Sequence, residues 1–361
     1  MSEFKPGLEG VVAFETEIAE PDRDGGALRY RGVDIEDLVG RVPFEKVWGL
    51  LVDDAPEPGL QPSAPYAARD LTGNAPSDLQ SVTAHLSGEW GLGQLIDLSD
   101  AEAHADLARL SATMISVVAQ SARVGDGETT PVDPDLVATG STAATRFLLE
   151  WRGEADPKHV QAIDTYWICT AEHGLNASTF AARIVASTGA DCAAALSSAV
   201  GALSGPLHGG APARVLPMLD GAAAADSIEE YVEELLDAGD RLMGFGHRVY
   251  RAEDPRSRLL RGTAFDLGSP RFEVAEELER VALAELHARK PDRVLATNVE
   301  FWSAVVLDIA DIPPQLAPAM FACSRTAGWS AHIIEQKRLG RLVRPSALYV
   351  GPGPRPLPDG S

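Results

Sequence analysis

The chain has 361 residues, 45% of them hydrophobic, with 31 basic against 53 acidic side chains and a formal net charge of −22 at pH 7. Length and composition predict a globular protein of about two domains, and the negative charge argues against nucleic acid or an anionic membrane as a partner. No apolar run is long enough to span a bilayer, the start does not resemble an export signal, and the odd, dispersed cysteines fit a reducing compartment. We therefore expect a cytoplasmic protein.

Strand-like patterning is confined to the beginning of the chain. Residues 10–32 contain short β-prone runs around Pro21 and a Gly-Gly pair, which predicts a small β-hairpin. A helix is expected to follow at residues 33–39. Residues 56–76 and 124–134 are rich in Pro, Gly, Asp and Thr and are predicted to be surface loops.

In the second half of the chain, three predicted helices each end close to a histidine. His173 stands at the end of a helix that a glycine terminates, and His208 follows the Gly-Pro pair that breaks the next helix. A third helix, starting at Ser227, leads into a Gly-Phe-Gly turn that precedes His247. The pattern places three imidazoles at helix boundaries, where side chains can reach a shared cleft.

Two further predicted helices carry charged candidates. Asn298 is typical of a helix N-cap and puts Glu300 in the first helical turn. The last predicted helix has Arg325 near its start and Arg344 beyond its end. Because helical periodicity covers almost everything after the hairpin, the sequence predicts an all-α protein with a small N-terminal β-hairpin.

The histidines and Glu300 admit two chemical interpretations. Three imidazoles and a carboxylate could bind zinc or iron, but the intervals of 35, 39 and 53 residues include none of the short helical spacings that help assemble such ligands. Neighbouring arginines would repel a cation and suit a polycarboxylate, which guanidinium binds in bidentate fashion. These arginines are Arg248, Arg251, Arg256, Arg325 and Arg344. We therefore predict no metal, and proton transfer at a carbon next to a carbonyl group, with an anionic substrate held in place.

Six ordered motifs give the chain a recognisable family likeness. They are "EHGLNASTFAAR" (172–183), "SGPLHGGA" (204–211), "GFGHRVYRAEDPR" (244–256), "TNVEFWSA" (297–304), "SRTAGWSAHIIEQ" (324–336) and "RLVRPSALYVGP" (341–352). On these motifs the sequence resembles citrate synthase over nearly its whole length. The resemblance implies a mostly helical, two-domain fold and a homodimer with a shared active site.

The resemblance also implies how the chain is divided. A large, dimer-forming domain would comprise residues 1–209 and 312–361, and a mobile small domain would comprise residues 210–311. His208 would then lie at the hinge, while His247 and Glu300 would project from the small domain into the cleft. Closure of such a cleft excludes water from the reaction.

By resemblance, the chain is a transferase of the tricarboxylic acid cycle that converts acetyl-CoA, oxaloacetate and water into citrate and CoA. Glu300 would be the base, His208 would donate to the thioester oxygen, and His247 would donate to the oxaloacetate carbonyl. The CoA thioester is a co-substrate, and no tightly bound cofactor is expected. Residues implied in oxaloacetate binding are His173, His247, Arg256, Arg325 and Arg344, the last from the second subunit, and Arg251 is implied in contacting a CoA phosphate.

The chain departs from the family pattern at two places. Family members usually carry aspartate where this chain has Glu300, and the usual Ala-Asn-Glu after the hinge histidine is replaced by Ala211-Pro212-Ala213. Two alternatives therefore remain. One is a 2-methylcitrate synthase that uses propionyl-CoA, because one methylene in an apolar pocket discriminates by only about 1 to 3 kcal/mol. The other is a catalytically impaired homologue with a binding or regulatory role.

Overall fold

The computed structural model describes residues 4–8, 10–22, 24, 26–209, 214–246, 253–292 and 295–355. The fold is 59% helical, with one small three-stranded sheet, and the predicted all-α class is confirmed. Across the described residues, no helix is long and apolar enough to cross a membrane. The helices are α1 (Phe44–Asp53), α2 (Ala75–Trp90), α3 (Asp100–Gly125), α4 (Pro134–Ala138), α5 (Ala143–Arg152), α6 (Pro157–Thr170), α7 (Ala177–Ser187), α8 (Cys192–Leu203), α9 (Val215–Ala224), α10 (Ile228–Asp237), α11 (Pro255–Asp266), α12 (Phe272–Arg289), α13 (Val299–Ile309) and α14 (Ala317–Leu339).

The N-terminal sheet contains the predicted hairpin and one strand more. Strands β1 (Ala19–Asp22), β2 (Ala27–Tyr30) and β3 (Val33–Asp34) are antiparallel in that order. The expected helix at 33–39 is wrong, since β3 is followed by a single 3-10 turn. The reason is the two-residue turn at Arg31 and Gly32, whose φ angles of 48° and 82° reverse the chain tightly enough to continue the ladder.

The helix starts expected from capping residues are confirmed. The side chain of Asp156 accepts from the backbone of Lys158 at the start of α6, and Ser227 caps α10 in the same way. Asn298 caps α13 by accepting from the N–H of Glu300 at 2.9 Å. Between α1 and α2 the chain is irregular, as the loop prediction required.

Helix α14 lies at the centre of the molecule and is buried along most of its length. It packs against α1, α3, α6, α7 and α8. Small residues allow this close approach, and at Gly328 a Cβ atom would lie 2.7 Å from the carbonyl oxygen of Ala171. The backbone after α6 therefore rests directly on α14, which brings the end of one helix to the middle of the other.

The helices from α9 to α13 form a second packing group. Helix α9 packs on α10, α12 and α13, and α11 packs on α13, while α11 and α13 also contact α6. Arg152 of α5 donates to the carbonyl oxygens of Ala310 and Asp311, where α13 ends. The boundaries of the small domain, 210–311, stay a prediction.

Candidate active site

His208 lies just beyond α8 and is half-buried between two other helices. Its Nε2 atom is 2.9 Å from Ser178 Oγ at the start of α7, and its ring packs edge-on against Phe321 of α14. Burial, aided by the charge of Arg325, lowers the pKa of His208 to about 4. The imidazole is therefore neutral near pH 7, and it can act as a donor without first gaining a proton.

Ser178 is the hydrogen-bond partner of His208 Nε2, so the direction of its own hydroxyl proton bears on which nitrogen of His208 is protonated. Its hydroxyl accepts from Trp329 Nε1 at 3.2 Å and can donate its single proton to Asn176 Oδ1, at 2.8 Å, or to His208 Nε2. Donation to His208 would leave the imidazole proton on Nδ1, for which the described residues offer no hydrogen-bond partner. Nδ1 is therefore the nitrogen that can face a substrate.

Arg325 is a buried cation that makes one hydrogen bond to the described part of the chain. The residue is 2% exposed, its Nε donates to the carbonyl oxygen of Thr170 at 2.8 Å, and its guanidinium carbon lies 4.6 Å from the Phe321 ring centre. Its two terminal nitrogens donate to none of the described residues. Burial lowers the pKa of Arg325, and the charge of Glu172 opposes that shift. An anionic ligand would supply acceptors for the two terminal nitrogens.

Glu300 stands in the first turn of α13, as its sequence position predicts. Its carboxyl group is largely buried, and burial raises its pKa to about 7, with Asp254 adding to the rise and Arg256 opposing it. A carboxyl with a pKa near the working pH is suited to act as a general base, since it can be ionised and still bind a proton well.

Asp254 holds the start of α13 and was missed by the sequence analysis. It is 1% exposed, caps α11 through the backbone of Arg256, and accepts from the N–H of Val299 at 3.1 Å. It also binds the Arg256 side chain at 2.8 and 2.9 Å. One aspartate thus orients both a candidate substrate arginine and the helix that carries Glu300. Its place before a proline is a capping signal that could have identified it.

The Gly-Phe-Gly turn is joined to the segment before α13. Phe245 forms an isolated antiparallel bridge with Thr297, and Asn298 Nδ2 donates to the carbonyl oxygen of Gly246 at 2.9 Å. The described chain therefore leaves Gly246 beside the helix start that carries Glu300. His247, Arg248 and Arg251 lie outside the described residues, and their roles stay predictions.

Four of the predicted site residues interact electrostatically in the structure: His208, Arg256, Glu300 and Arg325. The charge of Arg325 acts on His208, and the charge of Arg256 acts on Glu300 and on Arg325, so these four side chains form one cluster. His173 is half-buried in the turn after α6, immediately after the buried Glu172.

Arg344 lies apart from the cluster of His208, Arg256, Glu300 and Arg325. It is exposed, in the irregular segment that follows α14. Arg344 can therefore act in a site only if a different chain or a different conformation brings it there.

Two further features do not coincide with the cluster. A cavity of about 510 Å³ lies between α3, α5 and the loops at 60–71 and 128–132, and its described lining includes none of the predicted site residues. The described residues also contain no group of His, Cys, Asp or Glu side chains that could hold a metal ion. The replaced hinge residues, 211–213, lie outside the described part of the chain.

The family of the chain follows from a comparison with known proteins. A family model described as "Citrate synthase, C-terminal domain" matches residues 7–346. The chain belongs to the citrate synthase family. It is, accordingly, an enzyme that transfers an acyl group.

Individual relatives agree with this assignment along nearly the whole chain. A Mycobacterium tuberculosis protein named "Putative citrate synthase 2" is 60% identical, covering 98% of this chain and 94% of its own length. Citrate synthase from Haloferax volcanii is 37% identical, covering 97% and 96%. The solved structure of Thermoplasma acidophilum citrate synthase, a ternary complex with carboxymethyl coenzyme A and oxaloacetate, is 26% identical in sequence, covers 99% of both chains and has a TM-score of 0.85.

Proposed function

We propose that the chain condenses acetyl-CoA with oxaloacetate and water to give citrate and CoA, as a cytoplasmic enzyme of the tricarboxylic acid cycle. The observation that carries this proposal is the buried Arg325 guanidinium, whose two terminal nitrogens donate to none of the described residues. Its charge acts on the neutral imidazole of His208 and on Arg256, which in turn acts on Glu300, a carboxyl of raised pKa. The Thermoplasma acidophilum relative holds oxaloacetate together with a CoA analogue, which supports the same pair of ligands for this chain.

The chemistry needs an acid and a base at the same moment. The methyl group of a thioester is a very weak carbon acid, so removal of its proton must be accompanied by stabilisation of charge on the thioester oxygen. Glu300 takes the proton, and neutral His208 donates to the oxygen from Nδ1. This step requires the Ser178 hydroxyl to donate to His208 Nε2 and not to Asn176. The resulting enol attacks the oxaloacetate carbonyl, to which His247 donates. Water then cleaves the thioester and releases CoA.

Substrate anions are held by positive charge rather than by a metal or a resident cofactor. Arg256 and Arg325 would bind the oxaloacetate carboxylates together with His173 and His247, and Arg251 would contact a CoA phosphate. Arg344 would complete the site from a second subunit, since the single chain leaves it exposed. The active form is then a homodimer, and sedimentation of a fully active monomer would contradict this part of the proposal.

A second candidate is a 2-methylcitrate synthase, since such an enzyme from Shewanella oneidensis is 31% identical over 97% of this chain. The two functions differ by one methylene in the acyl group. The deciding experiment is a steady-state comparison of kcat/KM for acetyl-CoA and propionyl-CoA with oxaloacetate, with mass analysis of the product. We expect acetyl-CoA to be preferred. A preference for propionyl-CoA would establish the second candidate, and no CoA release from either would indicate an impaired homologue.

Replacing Arg325 should weaken oxaloacetate selectively. Arg325→Leu removes a buried charge-assisted contact worth about 1.5 to 3 kcal/mol, so KM for oxaloacetate should rise about 10- to 100-fold while KM for acetyl-CoA changes little. Initial-rate kinetics with each substrate varied in turn would measure both. Arg146→Leu is the control, because Arg146 is a half-buried arginine that, like Arg325, donates to a backbone carbonyl oxygen, that of Gly140. An unchanged KM for oxaloacetate would remove Arg325 from the binding site.

The activity should depend on pH through Glu300. The base must be ionised, and burial raises its pKa to about 7, so kcat/KM for acetyl-CoA should fall about tenfold per pH unit below that value. His208, with a pKa of about 4, stays neutral over the same range, so its protonation does not change the slope of the pH profile above pH 5. A pH profile from 5.5 to 8.5 would test this. A flat profile down to pH 5.5 would show that the base has an ordinary carboxyl pKa.

A further inference from the structure

Glu172 is a fully buried carboxylate beside the proposed oxaloacetate site. It is 0% exposed and lies between the end of α6 and His173. Burial by itself would raise its pKa, but contact with His332, the Arg325 guanidinium and the backbone N–H of His173 together hold the pKa below its usual value. The residue is therefore ionised near pH 7, and its charge faces the backbone of the next residue along the chain.

The partner of Glu172 is held in one protonation state by its own neighbour. His332 of α14 is 1% exposed, and its Nδ1 is 2.9 Å from Nη1 of Arg183. A guanidinium group can only donate, so Nδ1 must be unprotonated and the proton must reside on Nε2. Nε2 lies 3.2 Å from Glu172 Oε1, so His332 donates to the carboxylate.

Backbone contacts fix Glu172 from the opposite side. The hydroxyl of Tyr30 in β2 accepts from the N–H of Glu172 at 3.3 Å and lies 3.1 Å from its carbonyl oxygen. A Cβ atom at Gly328 would lie 1.9 Å from Glu172 Oε2, so α14 approaches the carboxylate as closely as a glycine permits. Side chain and backbone are thus both restrained, and there is no space into which the carboxylate could move toward α14.

The restraint continues away from the site. Arg183 of α7 also bonds Glu335, and its Nε donates to Gln336 Oε1 at 3.0 Å. Glu335 in turn accepts from the hydroxyl of Thr16 and the backbone N–H of Glu17, both at 3.1 Å. A continuous hydrogen-bonded network, buried at Glu172, His332 and Arg183 and exposed at Thr16 and Glu17, therefore connects the N-terminal segment, α7 and α14 to the residue before His173. The network leaves Glu172 Oε2 and Arg183 Nη2 without a hydrogen-bond partner among the described residues, but its printed bonds restrain each side chain from at least one side.

We propose that Glu172 and His332 are positioning residues that hold the His173 turn in the conformation that binds oxaloacetate. The inference rests on the proposed function, because His173 is an oxaloacetate ligand only if oxaloacetate is the substrate. Neither residue contacts the reacting atoms. Without the charge on Glu172, the backbone N–H of His173 and the Nε2 proton of His332 both lose an anionic acceptor. The turn then gains freedom that oxaloacetate must remove on binding.

The test is the substitution Glu172→Gln, which keeps the size of the side chain and removes its charge. We expect KM for oxaloacetate to rise about tenfold or more, the equivalent of one charge-assisted hydrogen bond, while kcat and KM for acetyl-CoA stay within about threefold. Glu150→Gln is the matched control. Glu150 is also a largely buried carboxyl that accepts two side-chain hydrogen bonds, from Ser116 and Gln120, and it lies outside the proposed site.

A second pair of variants covers the case in which Glu172→Gln does not fold. His332→Gln retains an amide donor near the position of Nε2, whereas His332→Leu removes it, so the first should keep a lower KM for oxaloacetate than the second. An unchanged KM for oxaloacetate, or equal rises in both KM values, would overturn the inference while leaving an active wild-type enzyme and the proposed function intact. Wild-type protein that forms no citrate would instead refute the proposed function.

Discussion

Glu300→Gln is expected to abolish almost all turnover while leaving the protein folded. The amide cannot accept the methyl proton, and loss of a general base typically lowers kcat by about 10² to 10⁴. Release of CoA from acetyl-CoA and oxaloacetate, followed with a thiol reagent, would measure the loss. Glu150→Gln again serves as a control, since burial raises the pKa of Glu150 to about 7 as well. Retention of most activity in Glu300→Gln would mean that another group is the base.

Glu300→Asp should also be slower than the wild type, although it restores the residue that the family usually carries. The structure holds the start of α13 by two contacts, from Val299 to Asp254 and from the backbone of Glu300 to Asn298. Trp302, whose indole donates to Glu279 at 3.0 Å, anchors the next turn. Because these contacts fix α13, the helix cannot shift toward the substrate to make up for the shorter aspartate side chain. A carboxylate displaced by about 1 Å can lower the rate on the order of a hundredfold. A faster Glu300→Asp enzyme would show that glutamate serves a different acyl-CoA.

His208→Ala is expected to lower kcat by about 10² to 10⁴, because charge on the thioester oxygen then loses its donor as the methyl proton leaves. Exchange of the acetyl-CoA methyl protons with deuterated water should fall together with condensation, since enolisation precedes attack on oxaloacetate. His104→Ala is a suitable control, because His104 is also half-buried and packs its ring edge-on against Trp48.

Two outcomes would contradict the role of His208. Near wild-type turnover in His208→Ala would remove it from catalysis. Loss of condensation with normal proton exchange would place His208 after enolisation, at the step for which we propose His247. The two histidines would then have exchanged roles.

Local signals in the sequence were sufficient for the elements that carry the site. Asn298, Ser227 and Asp156 each cap a helix by bonding a backbone N–H within three residues, and such contacts depend on near neighbours alone. Glu300 and His208 could therefore be placed at a helix start and beyond a helix end before any tertiary structure was known. The motif "SRTAGWSAHIIEQ" likewise contains the small residues that let α14 pack closely.

Local sequence signals do not predict the structure where contacts between distant segments determine an element or a side-chain pair. The helix expected at 33–39 was wrong because β3 pairs with β2 across a two-residue turn. Asp254 was overlooked because one of its hydrogen bonds reaches Val299, 45 residues further along the chain. Glu172 and His332 are 160 residues apart, so no local pattern in the sequence predicts that they pair.

The sequence by itself determined the helical class, the helix boundaries that present His173, His208 and Glu300, and the family. These properties depend on periodicity, capping and ordered motifs, which are local or can be recognised by comparison. Only the tertiary structure decided the protonation of the site. Burial raises the pKa of Glu300 and lowers that of His208, and burial is set by helices that meet from opposite ends of the chain. A side chain's acidity depends on what surrounds it, and no residue's surroundings can be derived from its neighbours in sequence.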